Sequence, residues 1–199
     1  NKGGFVMRIA IIDYGSGNTQ SVKYALKRLG CESVLTSDKE VISSSDKVIF
    51  PGVGQASNAM SKLKFKGLDV LIPNLKQPVL GICLGMQLMC DFSEEGNTDC
   101  LKIFDSNVKR FKTTLKVPQI GWNTIFGLKT SLFESINENE YMYLVHSYYV
   151  PLLATTVATS NYGINYSSAI KKNNFIGVQF HPEKSGSQGE VVLKNFINN

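Results

Sequence analysis

Short apolar runs that end in glycine-bearing loops recur through the first half of the chain. Residues 8–13 are almost continuously apolar, and apolar side chains follow at helical spacing over residues 22–29. Residues 47–50 and 78–82 repeat this pattern, each leading through a glycine-bearing turn into a helix-like stretch. Buried strands that alternate with helices are typical of parallel sheets covered on both faces. This half therefore predicts an α/β fold with a mostly parallel central sheet and helices on both faces.

The second half contains short strand-like segments separated by turns. Strand-like patterns cover residues 108–111, 142–146, 155–159 and 175–180, and a final helix is predicted over about 189–198. No linker, repeat or low-complexity segment separates the two halves. We therefore expect additional antiparallel strands within the same α/β domain. In such folds, function gathers beyond the carboxyl ends of the strands.

The composition is that of an ordinary globular protein. Of the 199 residues, 43% are hydrophobic and 19% are charged, and no apolar run is long enough to cross a membrane. We expect a single domain over residues 7–199, with Met7 as the native start and residues 1–6 as a non-native remnant. Because the N-terminus lacks the apolar core of a signal peptide, a cytoplasmic location without a membrane partner is expected.

Charge and cysteine content argue against further classes of function. The net charge of +5 is spread thinly along the chain, whereas nucleic-acid-binding proteins concentrate positive charge on one face. No nucleic-acid partner is therefore expected. The four cysteines show no C-x-x-C spacing and the chain has only two histidines, which argues against a metal site. Without secretion, reduced thiols are expected.

One cysteine lies where an apolar run meets two glycines. Residues 81–85 read Gly-Ile-Cys-Leu-Gly, the G-x-C-x-G form of a nucleophile elbow, in which a strand turns tightly into a helix. The helix N-terminus favours a thiolate at Cys83, and the Leu84 N–H is a candidate donor to an oxyanion. A buried core cysteine is the alternative interpretation, and the pattern alone leaves both open.

A cysteine nucleophile needs a base, and two histidines are available. His181 follows an apolar strand and stands two residues before Glu183, a carboxylate suited to fixing its tautomer. A histidine capped within a turn is the alternative interpretation of His181, but the coincidence of strand end, proline and carboxylate favours a functional role. His146 has no neighbouring carboxylate in the sequence and is the weaker candidate.

Two further glycine-bearing loops follow predicted strands. Residues 51–54, Pro-Gly-Val-Gly, can bring backbone N–H groups close to a ligand, although the pattern alone favours an ordinary turn. Residues 13–18 resemble the start of a dinucleotide-binding fingerprint, but its third glycine is missing. A nucleotide cofactor is therefore not expected.

Six blocks are specific in combination: residues 13–18, 51–54, 81–87, 118–123, 146–150 and 180–185. Together they resemble the class I, triad-type glutamine amidotransferases, and within that class the glutaminase subunits of imidazole glycerol phosphate synthases. The resemblance spans nearly the whole chain from Met7 and implies a flavodoxin-like α/β fold, no cofactor and no metal. It also implies hydrolysis of L-glutamine and delivery of the ammonia to a TIM-barrel cyclase subunit in histidine biosynthesis.

The resemblance further implies roles for individual residues. Cys83 attacks the glutamine carboxamide, His181 moves protons, and Glu183 orients His181. The backbone groups implied for the oxyanion hole are those of Gly52, Val53 and Leu84. Glutamine-binding roles are implied for Gln87, Glu95, Ser147 and Tyr148. Positions near the partner interface are implied for Tyr14, Asn18, Trp122 and Lys184.

An idle glutaminase wastes glutamine, so we expect its activity to be coupled to the partner. Our hypothesis is that the backbone over residues 52–54 is misoriented in the isolated chain and rotates an N–H into the oxyanion hole when the partner binds its ligand. Residues 55–57 and 101–106 depart from the family's usual sequence. These departures leave open a paralogous glutaminase that feeds a related synthase, for example in surface-sugar amidination.

Two alternatives from other classes remain. A stand-alone thiol hydrolase of similar fold predicts activity on substrates other than glutamine without any partner. A non-catalytic binding module predicts a damaged triad, and the intact Cys83, His181 and Glu183 argue against it.

Overall fold

The computed structural model of the protein describes residue 4 and residues 6–199. Most of the segment 1–6, predicted to be non-native, therefore lies outside the described residues. The strands, numbered β1 to β13 in chain order, are Ile9–Ile12, Ser33–Thr36, Lys47–Gly52, Val79–Cys83, Cys90–Ser93, Thr98–Asp99, Phe104–Arg110, Gln119–Ile125, Glu140–His146, Tyr148–Tyr149, Thr156–Asn161, Asn165–Lys172 and Phe175–Val178. The α-helices, numbered α1 to α6, are Thr19–Arg28, Lys39–Ser44, Ala56–Phe65, Leu68–Leu71, Leu84–Leu88 and Gly186–Asn198.

Seven strands form the central sheet, in the spatial order β11-β12-β13-β4-β3-β1-β2. The strands from β13 to β2 are parallel, whereas β12 and β11 add an antiparallel edge. Strands β1, β3 and β4 are the apolar runs recognised in the sequence, and every residue in them is buried. The prediction of a mostly parallel sheet with additional antiparallel strands is confirmed.

Apolar side chains pack on both faces of this sheet. Along β1, Ile9 and Ile11 join a cluster that includes buried side chains of α1 and α6, whereas Ala10 and Ile12 join a second cluster with α3. This alternation follows from the two-residue period of a strand. Complete burial of an aliphatic side chain stabilises the fold by about 1.5–3 kcal/mol. Packing on both faces therefore stabilises the centre of the sheet and fixes the positions from which the loops at its carboxyl end begin.

Two smaller sheets flank the central one: a four-stranded sheet in the order β10-β7-β5-β6, and the antiparallel pair β8-β9. Strands β2, β5, β6, β8, β10 and β12 had no counterpart in the predicted elements. Strand β12 shows why, because Ser167 and Ser168 occupy buried positions within it. The Ser167 hydroxyl donates to the Pro151 carbonyl at 2.7 Å. Polar residues at buried positions such as these interrupt the apolar pattern that marks a strand.

Helix α6 is 13 residues long and begins at Gly186, ahead of the predicted start near residue 189. It buries Val192, Leu193 and Phe196 along one side, as its apolar spacing predicts. Among the helices of the described residues, none combines the length and the apolar character needed to cross a bilayer.

Candidate active site

Cys83 lies at the sharp turn between β4 and α5. Its φ is 54° and its ψ is −111°, a conformation that residues other than glycine rarely adopt. A Cβ at Gly85 would collide with the Phe50 carbonyl oxygen, and a Cβ at Gly81 would lie 2.9 Å from the Met86 nitrogen. Both flanking positions therefore require glycine, while the packed strand and helix hold the strained backbone in place. This turn has the nucleophile-elbow geometry that the G-x-C-x-G pattern predicts.

A histidine and a carboxylate lie beside this turn. His181 Nδ1 is 2.6 Å from Glu183 Oε1, and both side chains are almost fully buried. Glu183 Oε1 also accepts a hydrogen bond of 2.9 Å from Asn18 Nδ2. His181 and Cys83 line the same cavity, and Cys83 acts on the charge state of the His181 ring. Because Nδ1 is engaged by the carboxylate, the imidazole presents Nε2 to the sulfur.

Opposing effects act on the pKa of His181. Burial lowers it, whereas the charge of a Cys83 thiolate and the hydrogen bonds with Cys83 and Glu183 raise it by more. The outcome is a pKa raised from 6.5 to about 10. At neutral pH His181 therefore holds a proton beside the sulfur, where the proton can be transferred to a leaving group.

A cavity of about 220 Å³ opens onto this cluster. Its lining brings together the residues to which the sequence assigned chemistry or glutamine binding: Val53, Cys83, Leu84, Gln87, Glu95, Ser147, Tyr148 and His181. Glu183 lies behind His181, and Gly52 pairs with Cys83 in the ladder between β3 and β4. Residues from distant parts of the chain thus meet at one edge of the sheet, beyond the carboxyl ends of its parallel strands.

Two of the predicted glutamine-binding residues already have partners within the protein. Glu95 Oε1 accepts a 2.6 Å hydrogen bond from the Ala56 N–H at the start of α3. Burial is the main cause that raises the pKa of Glu95. Gln87 Nε2 donates to the Tyr148 backbone carbonyl and to Gln179 Oε1, both at 2.9 Å. A ligand in the cavity would therefore meet side chains that are held in place beforehand.

His146, the weaker base candidate, is engaged on both ring nitrogens. Its Nδ1–H donates to the Tyr148 carbonyl at 2.7 Å, and its Nε2 lies 3.0 Å from the Gln119 carboxamide. Burial lowers the pKa of His146 to about 4, and the nearby His181 contributes in the same direction. His146 is therefore neutral at pH 7 and has no free ring nitrogen, which favours His181 as the proton carrier.

Sequence reasoning missed Gln179, which is fully buried beside the nucleophile. Its Nε2 donates to Cys83 Sγ at 3.7 Å, while its Oε1 accepts from Gln87. The available signal was a single polar residue within the otherwise apolar stretch 176–180, directly before His181. Buried polar residues are informative because they require partners.

Two residues predicted near the partner interface have side chains that contact other parts of this chain. Tyr14 is 1% exposed, and its hydroxyl donates to the Pro51 carbonyl at 3.1 Å. A side chain buried in this way cannot form part of a docking surface in the observed conformation. The Asn18 side chain is directed inward and donates to Glu183 of the predicted triad. Trp122 is 55% exposed and Lys184 is exposed beside the cavity, so their interface roles stay predictions.

Comparison with known proteins connects this geometry to a family. The family model described as glutamine amidotransferase class-I matches residues 10–199. The chain is 58% identical over 194 residues to the imidazole glycerol phosphate synthase subunit HisH of Bacteroides fragilis (strain YCH46), covering 96% of this chain and 99% of that protein. It is 50% identical to the subunit of the same name from Haemophilus influenzae (strain Rd), covering 96% and 98% of the two chains.

Solved structures share the fold at low sequence identity. The crystal structure of a putative GMP synthase subunit from Thermoplasma acidophilum matches with a TM-score of 0.77 and 20% identity, covering 98% of this chain and 94% of that one. The structure of PurLQS from Thermotoga maritima matches with a TM-score of 0.73 and 16% identity, covering 98% and 99%. At such identities these likenesses concern the fold alone, and they agree with the predicted α/β architecture.

Proposed function

The chain belongs to the class I glutamine amidotransferase family, and from that premise we propose that it is the glutaminase subunit of an imidazole glycerol phosphate synthase in histidine biosynthesis. Near-full-length relatives that carry this subunit name, at up to 58% identity, support the assignment. The observation that carries the chemistry is the hydrogen bond between His181 and Glu183 at a cavity that Cys83 and His181 both line.

The proposed reaction is hydrolysis of L-glutamine through a thioester. The Cys83 thiolate attacks the side-chain carboxamide carbon, and the carbonyl oxygen becomes an oxyanion. As the C–N bond breaks, the His181 imidazolium gives its proton to the nitrogen, and ammonia leaves a γ-glutamyl thioester. Water then attacks the thioester carbon while His181 takes up a proton, which releases glutamate and restores the thiolate. Glu183 acts by holding the ring and by stabilising its charged form.

Backbone N–H groups complete the proposed site. The Leu84 N–H stands at the start of α5, and Gly52 lies at the end of the adjacent strand β3. We assign the oxyanion hole to the Leu84 N–H together with one from Gly52 or Val53. The hypothesis that ligand binding by the partner rotates this β3 end segment stays a prediction. The Tyr14 hydroxyl, which holds the Pro51 carbonyl, restrains such a rotation.

The cavity offers complementary groups for the rest of the substrate. The Glu95 carboxylate suits the ammonium of glutamine, and the remaining lining at Ser147 and Tyr148 supplies polar atoms. Gln87 closes one side of the cavity through its bonds to Tyr148 and Gln179. These positions favour a small amino acid with an amide side chain as the ligand.

The partner is proposed to be a TIM-barrel cyclase subunit that docks on the outer face of the β8-β9 pair. On this face Ile120 lies opposite Val145, and Trp122 lies opposite Tyr143. Ile120 is 59% exposed and Val145, which also lines the cavity, is 37% exposed. An exposed apolar stripe that reaches the active-site cavity is suited to a subunit that receives ammonia directly.

Glutamine hydrolysis by the purified chain, with and without a histidine-pathway cyclase and its nucleotide ligand, tests the proposal. We expect hydrolysis to rise strongly when the liganded cyclase is present. Activity that no cyclase stimulates would reject the synthase assignment. Stimulation only by a synthase from another pathway would point to the paralogous glutaminase, and turnover of non-glutamine thioesters or amides alone would point to a stand-alone hydrolase.

The nucleophile itself is tested by Cys83→Ser. We expect a loss of glutaminase activity on the order of 10⁴-fold or more, because a serine hydroxyl is not ionised by a neighbouring imidazole as a thiol is. Cyclase binding and the melting temperature should change little. Appreciable residual turnover would place the nucleophile elsewhere.

A further inference from the structure

Gln179 stands between the nucleophile and a proposed substrate-binding residue. It is fully buried directly after β13, and its backbone N–H donates to the Ser168 carbonyl at 2.8 Å. Its side-chain Nε2 donates to Cys83 Sγ at 3.7 Å, and its Oε1 accepts from Gln87 Nε2 at 2.9 Å. The roles assigned so far to the triad and to the cavity leave this amide without a function.

The orientation of this amide is determined by the groups around it. A backbone carbonyl can only accept hydrogen bonds, so the Tyr148 carbonyl requires Gln87 to present its NH₂ group there. The same NH₂ group faces Gln179, which must therefore turn its carbonyl oxygen to Gln87. The remaining end of the Gln179 amide, its NH₂, is left to face the sulfur of Cys83. The Tyr148 backbone carbonyl therefore determines, through Gln87, that the NH₂ end of Gln179 faces Cys83.

A donor at this position has a specific electrostatic effect. On another side, Cys83 Sγ lies 3.8 Å from the Val145 carbonyl oxygen, an acceptor that favours the neutral S–H form. An N–H aimed at the sulfur favours the thiolate instead, because a hydrogen bond to a charged group is stronger than one to a neutral group. Gln179 therefore offsets the carbonyl and acts alongside the imidazolium of His181.

We propose that Gln179 is a catalytic residue that donates a hydrogen bond to the Cys83 thiolate and, through its other end, holds Gln87 in position for the substrate. The proposal rests on the assignment of Cys83 as the nucleophile of a glutaminase. It separates the two ends of one amide: the NH₂ end acts on the reacting sulfur, and the carbonyl end acts on binding.

Two substitutions distinguish these ends. Gln179→Glu keeps an oxygen acceptor for Gln87 but replaces the donor that faces Cys83 by a carboxylate oxygen. Gln179→Met has a similar volume and removes both groups. The matched control is Gln77→Met, which removes a partly buried amide that donates to the Ile42 and Ser45 carbonyls and has no contact with the cavity.

The first measurement is the rate of iodoacetamide alkylation at Cys83 as a function of pH, read by fragment-ion mass spectrometry with Cys83→Ser as the blank. Both Gln179 variants should shift the alkylation profile upward by about one pH unit or more, equivalent to about tenfold less thiolate at a given pH. Gln77→Met should lower the melting temperature without moving the profile. Because this assay needs no glutamine, it reads the role of Gln179 even if the substrate is not glutamine.

The second measurement is glutaminase kinetics in the complex with the cyclase. Gln179→Glu should lower kcat about tenfold with little change in KM, whereas Gln179→Met should lower kcat and also raise KM. An alkylation profile that stays at its wild-type position in both variants would overturn the proposal and leave Gln179 as a packing residue. If Gln179→Met does not fold, the Gln179→Glu profile alone decides.

Discussion

Two buried histidines line the same cavity, and their surroundings favour opposite charge states. His181 bonds to the Glu183 carboxylate and interacts with the charge of Cys83, and its pKa is raised to about 10. His146 meets the Tyr148 carbonyl and the Gln119 carboxamide, and burial lowers its pKa to about 4. Burial opposes charge on both rings, so the difference comes from the partners: groups that carry negative charge at one, neutral dipoles at the other.

This difference shows what a carboxylate contributes to the site. A neutral partner positions a histidine ring equally well, as the two hydrogen bonds of His146 demonstrate. Only a charged partner keeps a proton on a buried ring at neutral pH. The proposed glutaminase needs both properties in one residue, because the ring must be held in place and must carry a proton for the departing ammonia.

The largest expected effect comes from making His181 resemble His146. Glu183→Gln replaces the charged partner by a neutral one of the same shape, so the pKa of His181 should fall and kcat should drop on the order of 10³-fold or more. Steady-state glutaminase assays in the complex and an NMR titration of His181 measure the two effects. The matched control is Glu138→Gln, since Glu138 accepts the Gly127 and Leu128 N–H groups away from the cavity. Wild-type turnover in Glu183→Gln would refute this role.

A smaller effect is expected from the titration of His146. The unfolded chain binds a proton at this residue below pH 6.5, whereas the folded chain binds it only below about pH 4. Stability therefore falls as the pH decreases from 6.5 to 4, by about 3 kcal/mol from this residue. Urea unfolding at several pH values should show a steeper decline for the wild type than for His146→Asn. Parallel declines in the two proteins would contradict the neutral state of His146.

The smallest effect should come from Asn18→Ala. This substitution weakens the hold of Glu183 on His181 but keeps the charged partner that distinguishes His181 from His146. Asn18 donates to the same Glu183 oxygen that holds His181, so its loss loosens the carboxylate and should lower kcat about tenfold. The control is Asn123→Ala, which removes a comparable amide that donates to the Asn161 carbonyl. A decrease in cyclase affinity with unchanged kcat would instead support the interface role predicted for Asn18.

The sequence could predict those parts of the fold that rest on apolar periodicity. Strands β1, β3 and β4 are continuous apolar runs, and the glycines around Cys83 reveal the tight turn because no larger residue fits there. Strand β12 was missed because buried serines interrupt its pattern. Its position became visible only once the pairing with β11 and β13 was known.

Contacts between distant residues account for most of what the sequence could not predict at the site. Tyr14 and Asn18 lie in the loop between β1 and α1, and only tertiary packing reveals that their side chains meet Pro51 and Glu183. The Glu95 bond to Ala56 likewise joins two segments with no local signal. By contrast, His181 and Glu183 were found because a single proline at a strand end separates them.

The carbonyl of Tyr148 accepts from both His146 and Gln87, and it belongs to the main chain. No codon change can delete it, since every amino acid supplies the same carbonyl at that position. A mutational scan of side chains would therefore record Tyr148 only through its phenol ring, and the acceptor that orders two neighbouring side chains would remain invisible to genetics. The geometry of this site thus depends in part on the path of the backbone, which substitution of a single side chain does not remove.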